Sequence, residues 1–264
     1  MSAEEITYIV EKRVAWITIN RPEKMNALTP DHMTEDLPAV WQRYKADDSA
    51  DVAVVTGAGD KAFCSGVDVR AVAEQQARGE DSAKKASRSY LLSPLANEVW
   101  KPVIAAVNGA CAGIAMNLVA DCDLVVASET AYFMDARTSN GMMSAMGSIE
   151  LTRVMPMHEA LRLVMLGRHG RLTAQRAHQI GFVNELAAPA ALRAAVQKLA
   201  ESLMENAPMA LRLTKMALWQ GLEHNRRGAL DNARAIMTAN PTTADVKEGT
   251  LAFLQKRKPA WTLR

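Results

Sequence analysis

Residues 101–128 read KPVIAAVNGACAGIAMNLVADCDLVVAS. The stretch opens on an apolar run, Val103 to Val107, of the length and continuity expected for a parallel strand buried on both faces. Asn108-Gly109 breaks the run and Gly113 follows. Ala115, Leu118 and Val119 then fall on one face of a helix, and Asp123 leads into a second apolar run over Leu124–Ala127. Strand, glycine-rich turn, helix, strand is the grammar of an α/β protein with a central sheet covered by helices.

The same punctuation extends toward the N-terminus. Ile6–Val10 and Val14–Ile19 read as short strands around a charged turn, and Arg21-Pro22-Glu23 ends the second. Thr29-Pro30-Asp31 predicts a capped helix start with proline in first position, followed by Leu37, Val40, Trp41 and Tyr44. DVAVVTG, residues 51–57, is another buried strand. Residues 71–90, AVAEQQARGEDSAKKASRSY, read either as a solvated helix pair or mobile loop, or as a lid or pocket wall.

Beyond residue 153 the strand signals almost vanish, and only Phe182–Leu186 looks extended. Helical periods cover 157–166, 173–180, 189–205, 208–224, 227–238 and 243–256, with boundaries at Asn206-Ala207-Pro208 and Asn240-Pro241-Thr242. The expectation is an α/β core over residues 1–190 and a helical region over 191–264. That region is too short for a core of its own. Its Leu211, Leu213, Met216, Leu218, Trp219 and Leu222 therefore need the main body or a neighbouring subunit to cover them.

The chain has 264 residues, 49 % of them hydrophobic, and 31 Lys and Arg against 29 Asp and Glu leave a formal charge of +2. So small a charge argues against a nucleic-acid binder held by phosphate contacts. Cys64, Cys111 and Cys122 form no CxxC pair and fit a reducing compartment. The acidic, alternating N-terminus does not read as a signal or transit peptide, and no apolar run is long enough to span a bilayer. The histidines are too scattered for a metal site. A cytoplasmic protein without nucleic-acid or membrane partners is the expectation.

Two segments join glycine to a strand end: AFCSGVDV over residues 62–69, and NGACAGIA over residues 108–115. A turn entering a helix presents unpaired backbone N–H groups to a phosphate or a developing oxyanion. These turns, together with NRPEKMNAL (residues 20–28), KPVIAAVNG (residues 101–109), Cys122-Asp123, RLTA (residues 171–174) through Ala177, Gly181 and Val183, and FLQKRKP (residues 253–259), resemble the crotonase, or enoyl-CoA hydratase/isomerase, superfamily over essentially the whole chain. The resemblance implies an α/β fold, a crotonase-like spiral of ββα units with a C-terminal helical region used in trimerisation and pocket closure. It further implies a homo-trimer or a hexamer built as a dimer of trimers, and an acyl-CoA thioester as substrate. Coenzyme A would enter as part of that substrate, with no cofactor bound permanently. By the same likeness, the backbone N–H groups of Val67 and Ile114 form an oxyanion hole after Gly66 and Gly113. Coenzyme A would lie along Ser65 and Gly66, its phosphates near Arg70 and near Phe253 and Lys256 of the helical tail.

The chain departs from the family where the hydratases carry two catalytic glutamates. Those positions fall on Asn117 and Arg137. An amide has no acid or base form near neutrality, and a guanidinium stays protonated. Asn117 can still orient water or a carbonyl, and Arg137 can pair with an acid group on the substrate. The nearest carboxylates able to move a proton are Asp135 and Glu150, whose plainer readings are an ion pair with Arg137 and a helix first-turn acid. The run GMMSAMGS, residues 141–148, reads either as a soft wall for a bulky acyl group or as helix packing. The leading function is acyl-CoA chemistry through an enolate or oxyanion; the alternatives are a non-catalytic acyl-CoA binder and a scaffold subunit of a hetero-oligomer.

Overall fold

The computed structural model describes residues 4–78, 89–239 and 243–262. β1 (Ile6–Glu11) and β2 (Val14–Ile19) form an antiparallel hairpin in which Ile6 faces Ile19. Thr29 caps the following helix as its sequence predicts, Oγ1 accepting from the His32 N–H at 3.2 Å. The helix widens into a π turn over His32–Asp36 before α1 (Leu37–Ala46).

Three repeats follow. β3 (Val52–Gly57) leads to β4 (Ala62–Cys64) and α2 (Val69–Ala77). β5 (Val103–Val107) leads to β6 (Ala110–Ala112) and α3 (Ile114–Ala120). β7 (Leu124–Ser128) leads to β8 (Tyr132–Met134) and, after a loop, α4 (Met146–Val154). Then come α5 (Met157–Leu166), β9 (Leu172–Thr173), α6 (Ala174–Gln179) and β10 (Glu185–Ala187). The first strand of each repeat joins a six-stranded sheet ordered β1-β2-β3-β5-β7-β10, parallel from β2 onward. The second joins a four-stranded sheet ordered β4-β6-β8-β9. The chain is thus a spiral of ββα units.

Residues alternate along the larger sheet. Val52 and Val54 pack outward against Leu192, Val196 and Ala200 of α7 (Leu192–Met204), while Ala53 and Val55 face the main core with Trp41, Leu118 and Phe133. Burial of both faces is why β3 reads as a continuous apolar run rather than an alternating one. In the smaller sheet, β4 and β6 fall in segments whose sequence reads as glycine turns, and β8 and β9 in segments with no strand signal. Its strands are two or three residues long, too short for any periodicity to register. The extended stretch expected at Phe182–Leu186 is realised at Glu185–Ala187, because Phe182 and Val183 first close a turn onto the Ala177 carbonyl. Of residues 71–90, α2 accounts for the beginning, and residues 79–88 lie outside the described residues.

The chain ends in α8 (Pro208–Gly221), α9 (Arg226–Ala239) and α10 (Thr243–Leu254). α8 is fastened to the body by Asp123, which meets Lys215 Nζ at 2.8 Å and accepts from Trp219 Nε1 at 3.1 Å. Leu218, Met237, Phe253 and Leu254 remain exposed. No helix among the described residues is long and apolar enough to cross a membrane.

Candidate active site

The first glycine turn is held by the segment after β2. Arg21 is buried, and its guanidinium meets Glu5 and Asp68, each at 3.1 Å, and the Ala27 carbonyl. Asn26 accepts from the Arg21 N–H at 3.0 Å and donates to the carbonyls of Ala58 and Ala62 at 2.9 and 2.7 Å. This clamp sets Leu28 beside the turn, where its N–H donates to Gly66 O and its carbonyl accepts from Asp68 N–H, both at 2.8 Å. Leu28 therefore uses the groups on either side of Val67 and leaves the Val67 N–H directed away from it. Asp68 caps α2 through the amides of Arg70 and Ala71. Burial alone would raise its carboxyl, but the Ala71 amide and Arg21 outweigh that and hold it below its ordinary value.

The second turn lies against the first. Gly113 has φ +58° and donates to Met134 O at 2.9 Å, and Ile114 opens α3. A Cβ on Gly113 would stand 4.0 Å from Gly66 Cα, and one on Gly66 (φ +106°) would stand 3.2 Å from Ala112 O. Both φ values lie where L side chains are strained, so glycine lets the two turns adopt these shapes side by side. Among the described residues, neither Val67 N–H nor Ile114 N–H has a hydrogen-bond acceptor.

Further along α3, Asn117 and Asp121 line a cavity of about 600 Å³ shared with Ser93, Trp100, Glu150 and Trp219. Asn117 packs beneath Gly147 of α4, where a Cβ would fall 1.7 Å from its Oδ1, and that oxygen has no partner among the described residues. Asp121 Oδ2 accepts from the Ser93 hydroxyl, whereas Oδ1 is likewise without a partner. Burial pushes the Asp121 carboxyl up to about 7, with Glu150 adding to the rise. Burial also raises Glu150, against the opposing charge of Arg153. Asp121 and Ser93 were not singled out by the sequence. The signal was there in the spacing of Asn117 and Asp121, i and i+4 on one helix face.

Arg137 is not an open charge. Its Nε and Nη2 grip the fully buried Asp135 at 2.7 to 3.1 Å, and Ser144 Oγ donates to the same carboxylate at 2.6 Å. Burial works to raise Asp135, but Arg137 and Ser144 prevail and keep it low. Ser65 and Arg70 are exposed at the first turn. Phe253 and Lys256 are exposed at the end of α10. The residues just after that helix bond back to it, Arg257 to Glu248 and Thr262 N–H to Asp245, and Lys258 reaches Glu205 beyond α7. Among the described residues none of these bonds reaches the turn at 62–68. No cluster of metal-ligating side chains is present among the described residues.

The profile of the family described as enoyl-CoA hydratase/isomerase matches residues 10–264. The chain is similar to (E)-benzylidenesuccinyl-CoA hydratase of Thauera aromatica, 31 % identical over 97 % of this chain and 98 % of that one. It is also similar to 1,2-epoxyphenylacetyl-CoA isomerase of Escherichia coli, 32 % identical over 96 % of each. Among solved structures, an enoyl-CoA hydratase/isomerase from Mycobacterium paratuberculosis matches with a TM-score of 0.87 and 35 % identity over 100 % of both chains.

Proposed function

Since this chain belongs to the enoyl-CoA hydratase/isomerase family, we propose that it binds an acyl-CoA thioester with the carbonyl oxygen between Val67 N–H and Ile114 N–H, and that its reaction passes through an enolate or oxyanion held there. The observation that carries this reading is the pair of unpartnered amides on adjoining glycine turns. Removing an α-proton, adding to a conjugated double bond or attacking the carbonyl all place negative charge on one oxygen. Two fixed donors stabilise that charge, each by about 3 to 4 kcal/mol.

Proton handling separates this chain from a two-glutamate hydratase. Asn117, about 4.5 Å along the axis from Ile114 at 1.5 Å per residue, is placed to orient a substrate or a water but not to exchange a proton. Arg137 fixes Asp135 as a carboxylate, so these two organise the loop beside the site through Ser144. Glu150 faces the cavity with a raised carboxyl and is the better placed of the two acids to take or give a proton. Coenzyme A would run past Ser65, Gly66 and Gly113 to Arg70. Phe253 and Lys256 would be supplied by the tail of a neighbour in a homo-trimer or dimer of trimers.

The names of the relatives span hydration and isomerisation. On this reading, crotonyl-CoA binds in calorimetry yet is hydrated at least about 100-fold below the common enzymatic rate of about 10 s⁻¹. Turnover near that rate would overturn the assignment of Asn117 and Arg137. Mass spectrometry of a panel of acyl-CoAs then identifies the reaction. Binding without product across the panel would favour the non-catalytic alternative, which is supported by Asn117 and Arg137 standing where the resemblance puts the two glutamates.

A further inference from the structure

His32 is 5 % exposed, and the chemistry described so far makes no use of it. Its ring is engaged on both sides. Nδ1 accepts from the Thr29 N–H at 3.1 Å, and Nε2 lies 2.9 Å from Glu5 Oε2. A backbone N–H can only donate, so Nδ1 keeps its lone pair and the ring proton sits on Nε2, where it donates to Glu5. Asp36 Oδ2, at 3.9 Å from Nε2, is too far for a hydrogen bond.

Both contacts lead to the turn that carries Val67. The Thr29 N–H belongs to the same planar peptide group as the Leu28 carbonyl, which accepts from the Asp68 N–H at 2.8 Å. Holding one end of that plane fixes the direction of the other. Leu28 N–H in turn donates to the Gly66 carbonyl, which shares its own peptide plane with the Val67 N–H. On the other side, Glu5 Oε1 accepts from Arg21 Nε and Asp68 Oδ2 accepts from Arg21 Nη2, each at 3.1 Å. The hydrogen bonds therefore close a ring, from His32 through the Leu28–Thr29 peptide to Asp68 and back through Arg21 and Glu5.

Resting on the acyl-CoA reading above, we propose that His32 is a positioning residue for that reaction: its neutral ring aims the Val67 N–H at the thioester oxygen without touching the substrate, and a proton arriving at Nδ1 releases the aim. A second ring proton would set two N–H groups against each other across the 3.1 Å that one hydrogen bond now bridges. Burial opposes that protonation most strongly; Glu5 and Asp36 favour it, and Arg21 opposes it. Asp31, Glu74 and Arg78 are the other charged groups around the recess beside the ring. Release therefore belongs on the acid side of an ordinary histidine titration.

Infrared difference spectra of bound, carbonyl-labelled butyryl-CoA, an ester with no double bond to hydrate, read the aim directly. The carbonyl stretch on the parent protein is expected below that of the free ester, and this lowering should shrink by about half between about pH 8 and about pH 5, as one of its two donors is lost. His32→Ala should show the smaller lowering at every pH. His32→Asn, whose Oδ1 can stand in for Nδ1 and does not titrate, should keep most of it throughout. A merely structural histidine would change stability and leave this frequency where it is. Nitrogen-15 NMR of the histidine-labelled parent, which needs no variant to fold, should find the His32 proton on Nε2 at about pH 8. A proton on Nδ1, a lowering in the parent that ignores pH, a His32→Ala spectrum like the parent's, or an acid loss that persists in His32→Asn would each overturn this inference and leave the acyl-CoA reading standing. No lowering in the parent at any pH, or no binding of the ester, would remove that reading and this inference with it.

Discussion

Ile114 packs its side chain in the core and has no acceptor for its amide among the described residues, so the two ends of one residue serve different purposes. Proline removes an N–H without disturbing the first position of a helix, and Gly113 before it tolerates the restriction that proline imposes. Ile114→Pro should therefore lower turnover on the enzyme's best acyl-CoA by about 100- to 1,000-fold, with circular dichroism unchanged. An undiminished rate would mean that the Ile114 amide does not hold the developing charge. Asp121 gives a second prediction at this scale. Its carboxyl is raised to about 7 in the fold, against about 4 in an unfolded chain. As pH rises past the unfolded value, the unfolded chain sheds a proton that the fold retains. Stability therefore falls from about pH 4 and levels off once the folded carboxyl ionises near pH 7. Asp121→Asn lacks this component, so its urea stability relative to the parent should rise by about 4 kcal/mol across that window. A pH-independent difference would place Asp121 in a far more hydrated setting.

At the scale of elements, α3 and α4 approach so closely that Asn117 occupies the space a side chain on Gly147 would need. Gly147→Ala must displace a buried amide, and overpacking of this kind costs about 1 to 3 kcal/mol. Urea titration should show that loss. Asn117→Ala in the same chain should recover most of it, because residues in direct contact do not behave additively. Strictly additive losses would show that the two helices do not meet through this pair. The clamp formed by Arg21 and Asn26 has the same logic on the other side of the site. NRPEKMNAL looks like an ordinary loop by composition, yet its Arg21 and Asn26 side chains tie β2 to the turn that orients Val67.

For the whole molecule, the accessible surface is 13,825 Å², against about 11,000 Å² for a compact globule of this mass. The excess accompanies a helical tail that leaves Leu218, Met237, Val246, Phe253 and Leu254 exposed. The proposed association of subunits would cover this apolar surface. Sedimentation should give a trimer or hexamer, and a stable monomer at micromolar concentration would contradict the proposal that a neighbour's tail completes the coenzyme A site. In that assembly Lys256→Ala should weaken coenzyme A ester binding about 10-fold, less at high salt.

Sequence alone determined the local elements whose physics is local: the buried strands at 14–19, 52–57 and 103–107, the Thr29 cap and most of the later helices, because periodicity, capping and burial on both faces are written in consecutive residues. It also located the two glycine turns, since only glycine adopts those φ values without strain. Tertiary structure decided the rest. Strands as short as β4, β6, β8 and β9 exist only through their partners across the second sheet. Arg137 can be read along the chain either as a partner for a substrate acid group or as the ion-pair partner of Asp135, and the fold decides for Asp135, with Ser144 as the third member. Asp121 acquires its significance from Ser93, 28 residues earlier, and from the cavity that encloses both. Hydrogen-bond satisfaction and desolvation depend on which distant groups share a space, and no run of neighbouring residues encodes that by itself.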